Sequence, residues 1–189
     1  MTSDPSELFF TQEQTQIVHK AAELAENLVI DHYKISESQW IKKRYDINTL
    51  SSNTYPLPPS SALAQVTAWR GYPLSSSLPS AAYDFYRITL YDSAILQKQR
   101  ILPGIELFPL CLYVICHELI HIVRFSQFDQ HIDASTQERE REEQRVHRYT
   151  HDVLSTIPME IPGLSTVLSY FKDWVAAIDD LNHHFEKSP

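Results

Sequence analysis

The sequence predicts an α+β fold, mainly helical with a small sheet. Apolar residues recur at three-and-four spacing along 11–33, 136–156 and 164–185, the signature of helices with one buried face. An almost uninterrupted apolar stretch runs from Ile105 to Cys116, as in a helix buried on most sides. One segment, Tyr86–Tyr91, alternates instead, as a half-buried strand does. At 189 residues, all of this fits one compact domain spanning 1–189.

In chain order, the helix over 11–33 carries Ile17, Ala21, Leu24, Ala25 and Leu28 on one face. From about Asn48 to Ser80 the chain is rich in Ser and Pro, and Trp69 and Tyr72 within it predict an ordered, irregular wrap rather than a flexible linker. The strand over 86–91 places Tyr86, Ile88 and Leu90 on its buried face. Pro109 belongs in a first helical turn, where its missing N–H costs nothing, so the next helix begins near Phe108. Its charge-free run is too short to cross a bilayer, which predicts no membrane association. The helix over 136–156 has the stripe Val146, Tyr149, Thr150, Val153, Leu154 and Ile157, and Pro158, Pro162 and Gly163 end it. The last helix, 164–185, has Leu164, Val167, Leu168, Phe171, Trp174, Val175, Ile178 and Leu181 on one side. That face packs on the core or offers a surface to a homodimer mate or another partner.

Chemistry concentrates in His117-Glu118-Leu119-Ile120-His121. On a helix, histidines four apart stand above one another, so both imidazoles reach one metal ion while the glutamate between them can take a proton from water. A catalytic zinc typically takes three protein ligands. Downstream candidates for the third are His131, Glu138, Glu140, Glu142, Glu143, His147 and His151. Extending the apolar face of the 136–156 helix backwards brings Glu142 and Glu143 to its edges and turns Glu138 and Glu140 to solvent. The third ligand is then Glu142 or Glu143.

HExxH followed by a glutamate on a second helix resembles the gluzincin branch of the zincin metallopeptidases, which includes thermolysin and the ImmA/IrrE-type peptidases. That branch has small or apolar residues at set steps after the second-helix glutamate, and Val146, Tyr149, Thr150, Val153 and Leu154 stand at those steps from Glu143. The resemblance spans roughly Leu112 to Leu154. It implies a zincin-like domain with its metal-site core at about 83–158 and a small antiparallel sheet beside the HExxH helix. It also implies Zn²⁺ on His117, His121 and Glu143, with Glu142 the fallback, and Glu118 as the catalytic base. Where the branch has Asp or Asn, this chain has His147, which would orient a ligand from the second shell or bind the metal itself. Such enzymes carry a further donor for the oxyanion, for which Tyr149, His131, His183 and His184 are candidates. They also commonly offer a strand edge to an extended peptide, and 86–91 is the candidate here.

The resemblance thus implies a zinc-dependent metallopeptidase acting on a peptide or protein substrate. An alternative is a zincin-like metal-binding protein without catalysis, serving as scaffold or regulator; the intact Glu118 favours the enzyme. A di-iron bundle is disfavoured, because it needs a second Glu-x-x-His and Glu143 to His147 has one residue too many. A net charge of −8 argues against a nucleic-acid groove, and Lys42-Lys43-Arg44 reads as solvated surface. Cys111 and Cys116 diverge on one helix and read as reduced, buried thiols. With no signal peptide visible in 1–7, they predict a cytoplasmic protein.

Overall fold

The computed structural model describes residues 9–49, 62–71, 83–127, 135–157 and 160–172. They form α1 (Gln12–Tyr33), α2 (Glu37–Trp40), β1 (Arg44–Thr49), β2 (Ala64–Gly71), β3 (Tyr83–Leu90), α3 (Asp92–Ile101), α4 (Leu107–Ser126) and α5 (Thr136–Ser155). Residues 164–172 are helical as well (α6). The fold is α+β, mainly helical with a small sheet, as the sequence predicts.

The core is built around α4, in which every residue from Pro109 to Arg124 is buried. By length and composition this helix could cross a bilayer, but 94% of its apolar window is buried by the protein itself. Helix α1 packs along it through Val18, Ala21, Ala25 and Val29. The expected face is therefore rotated slightly: Ile17, Leu24 and Leu28 flank the contact and are only partly buried. Thr11 starts α1 with a capping box, its Oγ1 accepting from the Gln14 N–H at 3.2 Å while Gln14 Oε1 accepts from the Thr11 N–H at 2.9 Å. Helix α3, which the hydrophobic pattern did not reveal, is tied to the start of the chain by the Phe10 N–H, which donates to buried Asp92 at 3.1 Å.

The sheet departs from expectation in two ways. Its order is β1-β3-β2, and it is mixed: β3 is antiparallel to β2 but parallel to β1. The 86–91 segment, expected as a substrate-binding edge, forms most of the central strand β3, with Tyr86, Ile88 and Leu90 buried. The edge beside α4 is β2, inside the segment expected to be irregular. Ala64, Val66 and Ala68 pair with Leu90, Ile88 and Tyr86. Small alanines suit the space beside a helix, but they give little of the β-branched and aromatic signal by which strands are recognised.

Helices α4 and α5 are clamped by a buried ion pair. Arg124 donates through Nε and Nη2 to Glu142, the second bond at 3.2 Å, and Arg145 reaches the same carboxylate at 3.4 Å. The Tyr149 ring lies 5.3 Å from the Arg124 guanidinium carbon. Removing one member leaves the other buried without its counter-charge, so Glu142→Ala should lower unfolding stability by about 3–5 kcal/mol. The double variant Arg124→Met/Glu142→Leu should recover most of that loss. Urea unfolding midpoints test this, and equal stability of Glu142→Ala and the parent would rule out the clamp.

Candidate metal centre

One stripe of α4 supplies Tyr113, His117, His121 and Phe125, each one turn after the last, and α5 faces it. His117 Nε2 lies 3.2 Å from Glu143 Oε2, His121 Nε2 lies 3.3 Å from Glu143 Oε1, and the two Nε2 atoms are 3.1 Å apart. Ligands about 2.0–2.1 Å from a tetrahedral zinc stand about 3.3 Å from one another. Each of the three contacts is close to that edge, with the two histidines meeting different oxygens of the Glu143 carboxylate. Two imidazole nitrogens and a carboxylate are also a donor set that zinc accepts. A single proton between the two nitrogens serves one lone pair only, whereas a cation at their centre serves all three donors.

The neighbouring glutamates have separate tasks. The Glu142 side chain is 5% exposed and turned to Arg124, while that of Glu143 is 47% exposed and turned to the histidines. Glu138 and Glu140 are exposed, as expected. His151 bonds Ser155 Oγ at 3.3 Å at the surface.

Burial raises the pKa of Glu143, but hydrogen bonds and charge from His117 and His121 outweigh it and hold the carboxyl well below the usual carboxylate range. Glu118 is buried beside them, and desolvation raises its pKa. The two histidines and a hydrogen bond from the Val66 backbone N–H pull it back, while Glu143 pushes it up. Since Val66 belongs to β2, the edge of that strand away from β3 faces the site.

His147 has its pKa lowered to about 3, first by burial and then by the charges of His117 and His121. Its Nδ1 is 2.8 Å from Tyr113 Oη, and its ring stacks 5.6 Å from that of Phe171. Phe171 in turn stacks on Tyr113 at 4.1 Å, with the rings 6° from parallel. His147 has a possible donor nitrogen within 4.8 Å of those of His117 and Glu143. His147 is therefore a further candidate ligand at this cluster, as the sequence left open. Its ring packs on His117 at 4.4 Å. This contact helps hold His117, whose buried Nδ1 has no hydrogen-bond partner among the described residues.

These groups line a cavity of about 490 Å³ together with residues 62–66, Tyr113, Tyr170 and Phe171. The structure thus brings together His117, Glu118, His121, Glu143 and His147. Tyr149 is turned toward Arg124 and does not line the cavity. His131, His183 and His184 fall outside the described residues. Sequence reasoning missed Tyr113, the β2 backbone, Lys98 and Tyr170. Only Tyr113 had a visible signal, standing one turn before His117 on the same face.

No family model, curated protein or solved structure gives a significant match to the chain.

If the triad holds zinc, elemental mass spectrometry should find about one zinc per chain, and a hundredfold excess of zinc over its Kd should stabilise the fold by about 2.7 kcal/mol. Glu143→Ala should abolish the zinc-dependent rise in melting temperature, and Glu142→Ala should retain it at temperatures where that variant is folded. The opposite pattern would make Glu142 the ligand.

Proposed function

We propose that the protein is a zinc-dependent metallopeptidase of gluzincin type, working in the cytoplasm on a peptide or protein substrate. One observation carries the reading: the His117, His121 and Glu143 donors converge at zinc-ligand spacing, with Glu118 buried beside them. When bound, zinc supplies a water of lowered pKa and polarises the substrate carbonyl.

The chain's own residues would do the rest. Glu118 accepts the proton of the attacking water and hands it to the leaving amine. His147, its Nδ1 paired with Tyr113, keeps the His117 ring in place and presents its other nitrogen to the same space. The open edge of β2 holds an extended substrate by main-chain hydrogen bonds, replacing the role expected of 86–91. The two buried thiols support the cytoplasmic assignment: burial pushes Cys111 up to about 12 and Cys116 higher still, so both remain neutral and unreactive.

Glu118→Gln should bind zinc like the parent and lower peptide hydrolysis by about 10²–10⁴-fold, the usual contribution of a general base. Metal content and cleavage of a peptide library, measured on the same samples, test this. Zinc binding in both proteins with no hydrolysis by either would leave a metal-binding scaffold or regulator.

A further inference from the structure

The cavity has a charged feature that the hydrolytic residues do not use. Lys98, near the C-terminal end of α3, lines the same cavity as Glu118 and Glu143 and is its only lysine or arginine among the described lining residues. Its Nζ donates to Tyr170 Oη at 2.9 Å and lies 5.2 Å from the centre of the Tyr170 ring. No carboxylate of the described residues lies within ion-pair distance of it. In a chain of net charge −8, a partly exposed lysine at the cavity with no acidic partner among the described residues is suited to bind an anion.

We propose that the substrate presents a carboxylate to Lys98 and Tyr170, and that this contact sets where the chain is cut. The inference rests on the hydrolase reading. The ammonium supplies charge and further N–H donors. Because Tyr170 Oη accepts from Lys98, its own O–H is left to donate to the same anion. Glu118 and Glu143 line the same cavity and repel an anionic group, which favours its binding at Lys98. The peptide bond presented to Glu118 is then the one at a fixed distance from that carboxylate. The group is either a free C-terminal carboxylate or an aspartate or glutamate side chain.

The full chain, loaded with one equivalent of zinc, is incubated with randomised short peptides made both as C-terminal acids and as amides. Products are read by mass spectrometry. Cleavage at a constant distance from a carboxylate is expected, with Lys98→Met lowering kcat/KM for those peptides about tenfold, largely through KM. Lys98→Glu should shift selection toward basic peptides, and Lys20→Met, an exposed change on α1, should leave it unaltered. Cleavage of the acid library alone identifies the C-terminal carboxylate, and acidic selection in both libraries identifies side chains. Identical products from the parent and Lys98→Met would overturn the inference and leave the hydrolase standing. If the parent cuts nothing, the hydrolase reading fails, and retention on immobilised Glu118→Gln decides the rest. Acidic peptides held by Glu118→Gln but not by Glu118→Gln/Lys98→Met would support an anion site, and equal retention would dismiss it.

Discussion

Helix α4 has no face in water over its central turns, so each polar group it carries must be answered by a neighbouring element. Helix α5 answers most of them with two consecutive residues. Successive side chains on a helix turn by roughly a hundred degrees, so Glu142 and Glu143 cannot face the same partner. Glu142 goes to Arg124 and Glu143 to the two histidines. The clamp fixes the rotation of α5 about its own axis, and that rotation aims Glu143. Packing and chemistry therefore share one constraint, and a mutation at either glutamate is felt by the other.

The environment around the triad is asymmetric, with both histidines buried and Glu143 half-exposed. Stacked rings of Tyr113, His147 and Phe171 form one wall, and the backbone of β2 forms another. Low dielectric strengthens every charge contact inside. Against those walls Glu118 is held by a main-chain N–H rather than by a mobile side chain, so its position follows from the sheet itself. Through β2, which lines the cavity with Ala64, Gln65 and Val66, the sheet thus reaches the site.

Much of this was legible in the sequence, for local reasons. The HExxH spacing reports helical geometry directly, and the apolar steps after Glu143 report which way α5 faces. Periodicity alone narrows the carboxylate to Glu142 or Glu143, and the gluzincin resemblance is what selects Glu143 to stand with His117 and His121. The sheet was less legible because its decisive strand is built around alanines, and its mixed topology arises from pairings far apart in the chain, such as Arg44 with Phe85. Tyr113 had one local signal, its place one turn before His117 on the same face, but nothing local shows that its hydroxyl meets His147. Lys98 was invisible for the same reason. Its meaning comes from Tyr170, a neighbour supplied by tertiary structure alone.

The burial of Cys111 and Cys116 separates the metal chemistry of the folded chain from that of the unfolded one. Unfolded, the polypeptide exposes two thiols and nine histidines, a flexible chelator that soft cations such as Cu(I) would favour. Folding withdraws both sulfurs, although Cys116 adjoins His117 in sequence, because the next residue on a helix points elsewhere. What remains is a harder set of two nitrogens and a carboxylate. Metal captured before folding competes with the native state, since any affinity for the unfolded chain subtracts from the stabilisation that binding gives. For the zinc site proposed above, burial of both sulfurs thus narrows the donors that the folded chain offers to nitrogen and oxygen.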